Sequence, residues 1–178
     1  MDAMYTATIL LDVHARSHEC LRRLIALCGT LTDEELRRPL PGFGFETVHR
    51  QLVHTIGAEL YWQTVLREGY HTEATLPDVS TLDAIEAFRQ QVAATTRRYL
   101  QSASVDELNA PREMVSDPGE TRVLRPADVI MRVVTHVFNH QGQILAMCRT
   151  LGKPNLTIDL DYPLDVVFPP AESASPSQ

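Results

Sequence analysis

Apolar positions recur at steps of three and four over most of the chain, the spacing of one face of an α-helix. In the first such stretch, from about Met4 to Cys28, Leu10, His14, Ser17, Leu21, Leu24 and Cys28 form a stripe that Gly29 ends. Thr32-Asp33-Glu34-Glu35 reads as a capping box that opens a short helix. Pro39, Pro41, Gly42 and Gly44 then impose a loop. A second long helix is predicted from about Phe45 to Glu68, stopped by Gly69, with a linker over 70–80. The third begins at Ser80 or Thr81 as N-cap and runs to about Ser102, with Leu82, Ile85, Phe88, Val92, Thr95 or Thr96, and Tyr99 on its inward stripe. Pro126 suits the first turn of a fourth helix that reaches about Leu151 and is closed by Gly152 and Pro154.

Between the third and fourth helices the period changes. Glu113-Met114-Val115 and Arg122-Val123-Leu124 flank Asp117-Pro118-Gly119, which fits either a small β-hairpin or an irregular loop. Segment 155–168 is expected to return along the surface, and 169–178, rich in Pro and Ser, to form a disordered tail. Four long helices with one apolar face each have a common solution: an all-α four-helix bundle, here a single domain over 1–168.

Composition narrows the function classes. The chain has 178 residues, 44% apolar and 22% charged, so a buried core is expected. Its formal net charge of −7, with no Lys/Arg cluster, argues against a nucleic-acid partner. Cys20, Cys28 and Cys148 are odd in number and contain no C-x-x-C pair, which suits reduced thiols in the cytoplasm. No basic leader and no long apolar run is evident, so neither export nor membrane insertion is expected.

The histidines carry the chemistry. His136 and His140 lie four apart on the fourth helix, about 40° round the same face. Their stripe is Val129, Val133, His136, His140, Ile144, Met147 and Leu151, otherwise apolar and inward. Imidazoles there need partners for their nitrogens. A shared metal ion provides them, and so would hydrogen bonds within the core. His54 on the second helix could add a third ligand across the bundle or be a core histidine. His14 and His18 make a second H-x3-H pair on the first helix, readable as ligands or as polar residues at the edge of the bundle face. His49 is about 140° round from His54 and is not expected to share a site with it. His71 falls in the linker.

Several stretches resemble the DinB/YfiT-like superfamily. Val134-Thr135-His136-Val137-Phe138-Asn139-His140-Gln141-Gly142-Gln143-Ile144, then Leu151-Gly152 and Ile158-Asp159-Leu160, is similar to that family's H-x3-H-R-G-Q-I signature and its tail. Leu52-Val53-His54-Thr55-Ile56-Gly57-Ala58-Glu59-Leu60-Tyr61-Trp62 is similar to its central histidine helix, and Leu31-Thr32-Asp33-Glu34-Glu35-Leu36 to the link after its first helix. The resemblance implies an up-down-down-up bundle, a homodimer, and a divalent metal ion (zinc first, nickel or iron next) on His54, His136 and His140. Gln141 stands where the family usually has Arg, and His14 and His18 stand where it usually has other polar residues.

Three neutral imidazoles leave a coordination position open, the pattern of a catalytic rather than a closed structural site. By analogy the chain is expected to be a metal-dependent hydrolase or a transferase using a low-molecular-weight thiol, acting on a small molecule. The alternative is a non-catalytic binding module or stress-response scaffold that metal only stabilises. Gln143, Tyr61, Glu59, His18 and His14 are candidates to line the pocket. Glu59, about 140° from His54, is expected at the surface, between helices, or as a partner of a fourth-helix histidine. No general base is evident.

Overall fold

A computed structural model describes residues 4–67, 79–117, 119–153 and 160–164. Its elements are α1 (Ala7–Cys28), α2 (Asp33–Arg37), α3 (Val48–Arg67), α4 (Leu82–Ser102), α5 (Val105–Asn109), β1 (Arg112–Asp117), β2 (Glu120–Leu124) and α6 (Pro126–Thr150). The linker that holds His71, Pro154, and the tail from Pro169 lie outside the described residues, as does most of the return over 155–168.

Local chemistry sets the ends of these helices. Thr6 caps α1 by accepting from the Ile9 amide, so the helix starts later than the apolar stripe alone suggests. Thr47 does the same for α3 through the Arg50 amide. Thr32 and Glu35 form both halves of a capping box. Gly152, at φ +80, closes α6 with the Lys153 amide donating back to the Cys148 carbonyl. The small helix α5 was not expected. Ser104 caps it through the Glu107 amide, a Ser-x-x-Glu spacing that the sequence displays.

Of the two readings for 110–125, the hairpin is the one adopted. β1 and β2 pair antiparallel, with a bulge between Val115 and Asp117 and Gly119 at φ +80 in the turn. Met114 is buried by this hairpin against the end of the bundle, whereas Val123 stays exposed.

The long helices form two apolar clusters, and their order along each helix gives the topology. One cluster takes Leu21 and Leu24 late in α1, Leu52 and Ile56 early in α3, Ile85 and Phe88 early in α4, and Ile144 and Met147 late in α6. The other takes Leu10 early in α1, Val65 and Leu66 late in α3, Leu100 late in α4, and Ile130 early in α6. Helices α1 and α6 therefore run one way and α3 and α4 the other: up-down-down-up. Helix α1 packs on α4 and α6, and α3 on the same two, so α1 and α3 face each other across the centre. Between the two clusters lies a polar layer of buried side chains, among them His14, His18, Glu59, Gln63 and Thr96.

Among the described residues, no helix is long and apolar enough to cross a membrane.

Candidate metal centre

The α3–α6 seam brings His54, His136 and His140 together. One ligand atom from each lies within 4.8 Å of the others. Helix geometry explains the pair on α6, since residues four apart stack one turn up the same face. His136 Nε2 and His140 Nε2 are 3.0 Å apart. The His54 ring stands edge-on to both, 5.1 Å from His136 and 4.8 Å from His140 between centroids. Its other face stacks on Phe45 at 4.0 Å. His140 is buried, while His54 and His136 are half-buried, so the cluster sits at the edge of the core and meets solvent on one side.

The proton on His140 can be placed from its neighbours. Gln51 Nε2 lies 3.1 Å from the Phe45 carbonyl, which can only accept, so that end of the amide is the donor. Its Oε1 is therefore the atom 2.6 Å from His140 Nδ1, and it accepts the Nδ1 proton. His140 Nε2 is left with a lone pair directed at His136 Nε2. Two ring nitrogens at 3.0 Å are satisfied either by one N–H donating to the other's lone pair or by one cation shared between them. Gln143 extends the arrangement, its Oε1 accepting from Gln51 at 3.1 Å.

All three rings are held neutral, the form that binds metals. Burial lowers the His54 pKa to about 4, with His140 adding to the effect. Burial, then His140, His54 and Arg132, lower His136 to about 4, and burial lowers His140. The donor set thus fits a divalent ion: three neutral imidazoles, with one tautomer fixed by an outer partner. Replacing Gln51 by leucine removes that partner. It is expected to weaken zinc binding at this centre by about 10–100-fold, read by competition with a chromophoric chelator.

The remaining candidates fall elsewhere. Glu59 lies between helices, one of the positions expected of it, and turns neither to the surface nor to α6. Its offset from His54 points it across the bundle at α1, where Oε1 is 2.8 Å from His14 Nε2 and Oε2 is 2.7 Å from His18 Nε2. His14 and His18, expected at the edge of the bundle face, are buried at 3% and 4% exposure. The Thr96 hydroxyl also donates to Glu59 Oε1, at 2.6 Å. Tyr61 lies two turns from His54, edge-on to Trp62 and against the second apolar cluster. His49 lies within 2.8 Å of the Val79 carbonyl and donates to it. Gln141 is buried, donating to the Leu160 carbonyl at 2.6 Å, with the Cys20 thiol 2.6 Å from its Oε1. It straps the return segment to α6 and α1.

Sequence reasoning placed Thr96 only on the apolar stripe of the third helix and passed over Gln51, Phe45 and Arg89 as site residues. Gln51 had a signal: it lies three residues before His54 and so faces nearly the same way.

Acid should destabilise this fold. His54 and His136 take protons near pH 4 when folded and near 6.5 when unfolded. Between those values the unfolded chain holds more protons, so stability is full above about 6.5 and is lost as pH falls towards 4. Burial pushes the Glu59 carboxyl up, but His18 and His14 more than offset it and hold it well below the usual range. Its contribution has the same sign and is lost at still lower pH. Urea midpoints of metal-free protein should therefore fall between about pH 7.5 and about pH 5; a flat profile would refute the assignment.

Fold and site together define a helical-bundle protein with a candidate divalent-metal centre of three histidines. A profile of the DinB family matches residues 4–166, and the chain belongs to that family. Among solved structures, a DinB-like protein from Bacillus cereus ATCC 10987 has the same fold, with a TM-score of 0.58 at 20% identity. The alignment covers 80% of this chain and 91% of that one. No curated protein matches.

Proposed function

We propose that this protein is a metal-dependent enzyme of the DinB family that acts on a small molecule, either as a hydrolase or as a transferase using a low-molecular-weight thiol. The observation that carries the reading is the convergence of three neutral imidazoles at a half-open seam, with the His140 lone pair presented by the Gln51 hydrogen bond. His54, His136 and His140 would hold the ion. When bound, a divalent ion with three neutral ligands keeps its full charge and supplies Lewis acidity to a small ligand.

The chain's own residues supply positioning. Gln51 and Gln143 hold the His140 ring. Phe45 packs flat on His54 and shields that face from water. Glu59 is engaged by His14 and His18 and does not reach the seam. The half-exposure of His54 and His136 favours catalysis over the scaffold reading, since a purely structural ion gains from being enclosed.

The test is elemental analysis of untagged protein, followed by esterase and thiol-conjugation screens on the holoprotein and on His136→Ala. Bound metal with turnover that disappears in the variant supports the proposal. Metal at background levels, or turnover that survives in His136→Ala, rejects it.

A further inference from the structure

The polar layer at the centre of the bundle holds a second constellation of metal-binding type, separate from the α3–α6 seam. We propose that His14, His18 and Glu59 form a second divalent-cation site, of the two-histidine, one-carboxylate kind.

The donor set is suitable. His14 and His18 are one turn apart on α1 and Glu59 faces them from α3; one donor atom from each lies within 4.8 Å of the others. Two imidazoles and a carboxylate are a common zinc ligand set that leaves one position open. The Glu59 carboxylate is only 2% exposed, so its charge needs a counter-charge nearby. Arg89 is the adjacent guanidinium, but Glu86 already takes it through two oxygens at 2.7 and 2.6 Å. A divalent ion between Glu59 and the two rings would supply a fixed counter-charge in place of the ring protons.

The surroundings fit as well. The carboxylate–imidazole contacts of 2.8 and 2.7 Å are hydrogen-bond lengths. An ion with bonds of about 2.0–2.2 Å fits once they open by about half an ångström. Binding through Nε2 places the ring proton on Nδ1. Arg89 Nη1, 3.4 Å from both His18 Nδ1 and the His18 carbonyl, then donates to the carbonyl. Thr96 holds Glu59 Oε1 from outside, as an outer partner of a ligand does. The layer also keeps an acceptor with no hydrogen-bond partner, Gln63 Oε1. A cavity of about 220 Å³ lined by His14, His18, Glu19, Arg89 and Arg97 gives an ion a way in.

The full chain, stripped of metal, should be dialysed against zinc and its metal content measured. Two equivalents are expected. His136→Ala/His140→Ala should retain one of them, and adding His14→Asn/His18→Asn should remove it. A wild-type content of one equivalent that disappears in His136→Ala/His140→Ala overturns the proposal. So does a second equivalent that persists without His14 and His18. A further measurement leaves the layer intact: cobalt added to His136→Ala/His140→Ala should give a visible d–d band that saturates at one equivalent, and no band overturns the proposal. The result is distinguishable from failure of the seam centre. In that case the ion sensitive to His136 is missing while the one sensitive to His18 remains.

Discussion

Replacing Glu59 by leucine is expected to lower the unfolding free energy of the metal-free protein by about 3–5 kcal/mol. Glu59 accepts from two imidazoles and a hydroxyl, all of them on buried side chains. Leucine has a similar volume, so the cost is one of unpaired polar groups rather than of a cavity. Arg89 is also left beside a ring that has lost its partner. Urea unfolding in the presence of a chelator measures the effect without a contribution from bound ions. A change below about 1 kcal/mol would show that the layer adds little to stability. Thr96→Val, which deletes a single donor to the same carboxylate, should cost less, about 1 kcal/mol.

His136→Ala should have the opposite profile, with a small change in stability and a large change in metal binding. His136 is half-buried at the edge of the core, so its truncation leaves no enclosed cavity. It does remove one of the three candidate ligand atoms and leaves the His140 Nε2 lone pair without its neighbour at 3.0 Å. Losing an outer partner typically costs 10–100-fold in affinity, and losing a ligand should cost more than about a hundredfold. Metal analysis and urea unfolding of the same preparation separate the two effects. Zinc affinity within a few-fold of the parent would mean that the seam does not bind through His136.

The contrast between these variants reflects two ways of housing histidines in one bundle. At the seam, the imidazoles keep lone pairs available and meet solvent on one side. In the central layer they are enclosed, and each donates to a shared carboxylate. Burial lowers the His18 pKa there, against the raising effect of Glu59.

Periodicity and end signals made most of the architecture readable. The four long helices, the Thr32 capping box and the Gly152 stop follow from interactions within a few residues of each other. The H-x3-H pair on α6 was equally legible, because a helix brings residues four apart together wherever it is placed. Where local signals were evenly balanced, as over 110–125, packing of Met114 on the bundle favours the hairpin.

By itself, then, the sequence determined which residues share a helical face and where the helices begin and end, since both depend on short-range backbone and side-chain chemistry. Which faces meet was decided only by the tertiary structure. Glu59 could be placed about 140° from His54 from the sequence, but not opposite α1 rather than α6. That choice depends on packing four apolar stripes at once, and it fixes which histidines converge at the seam and which share a carboxylate.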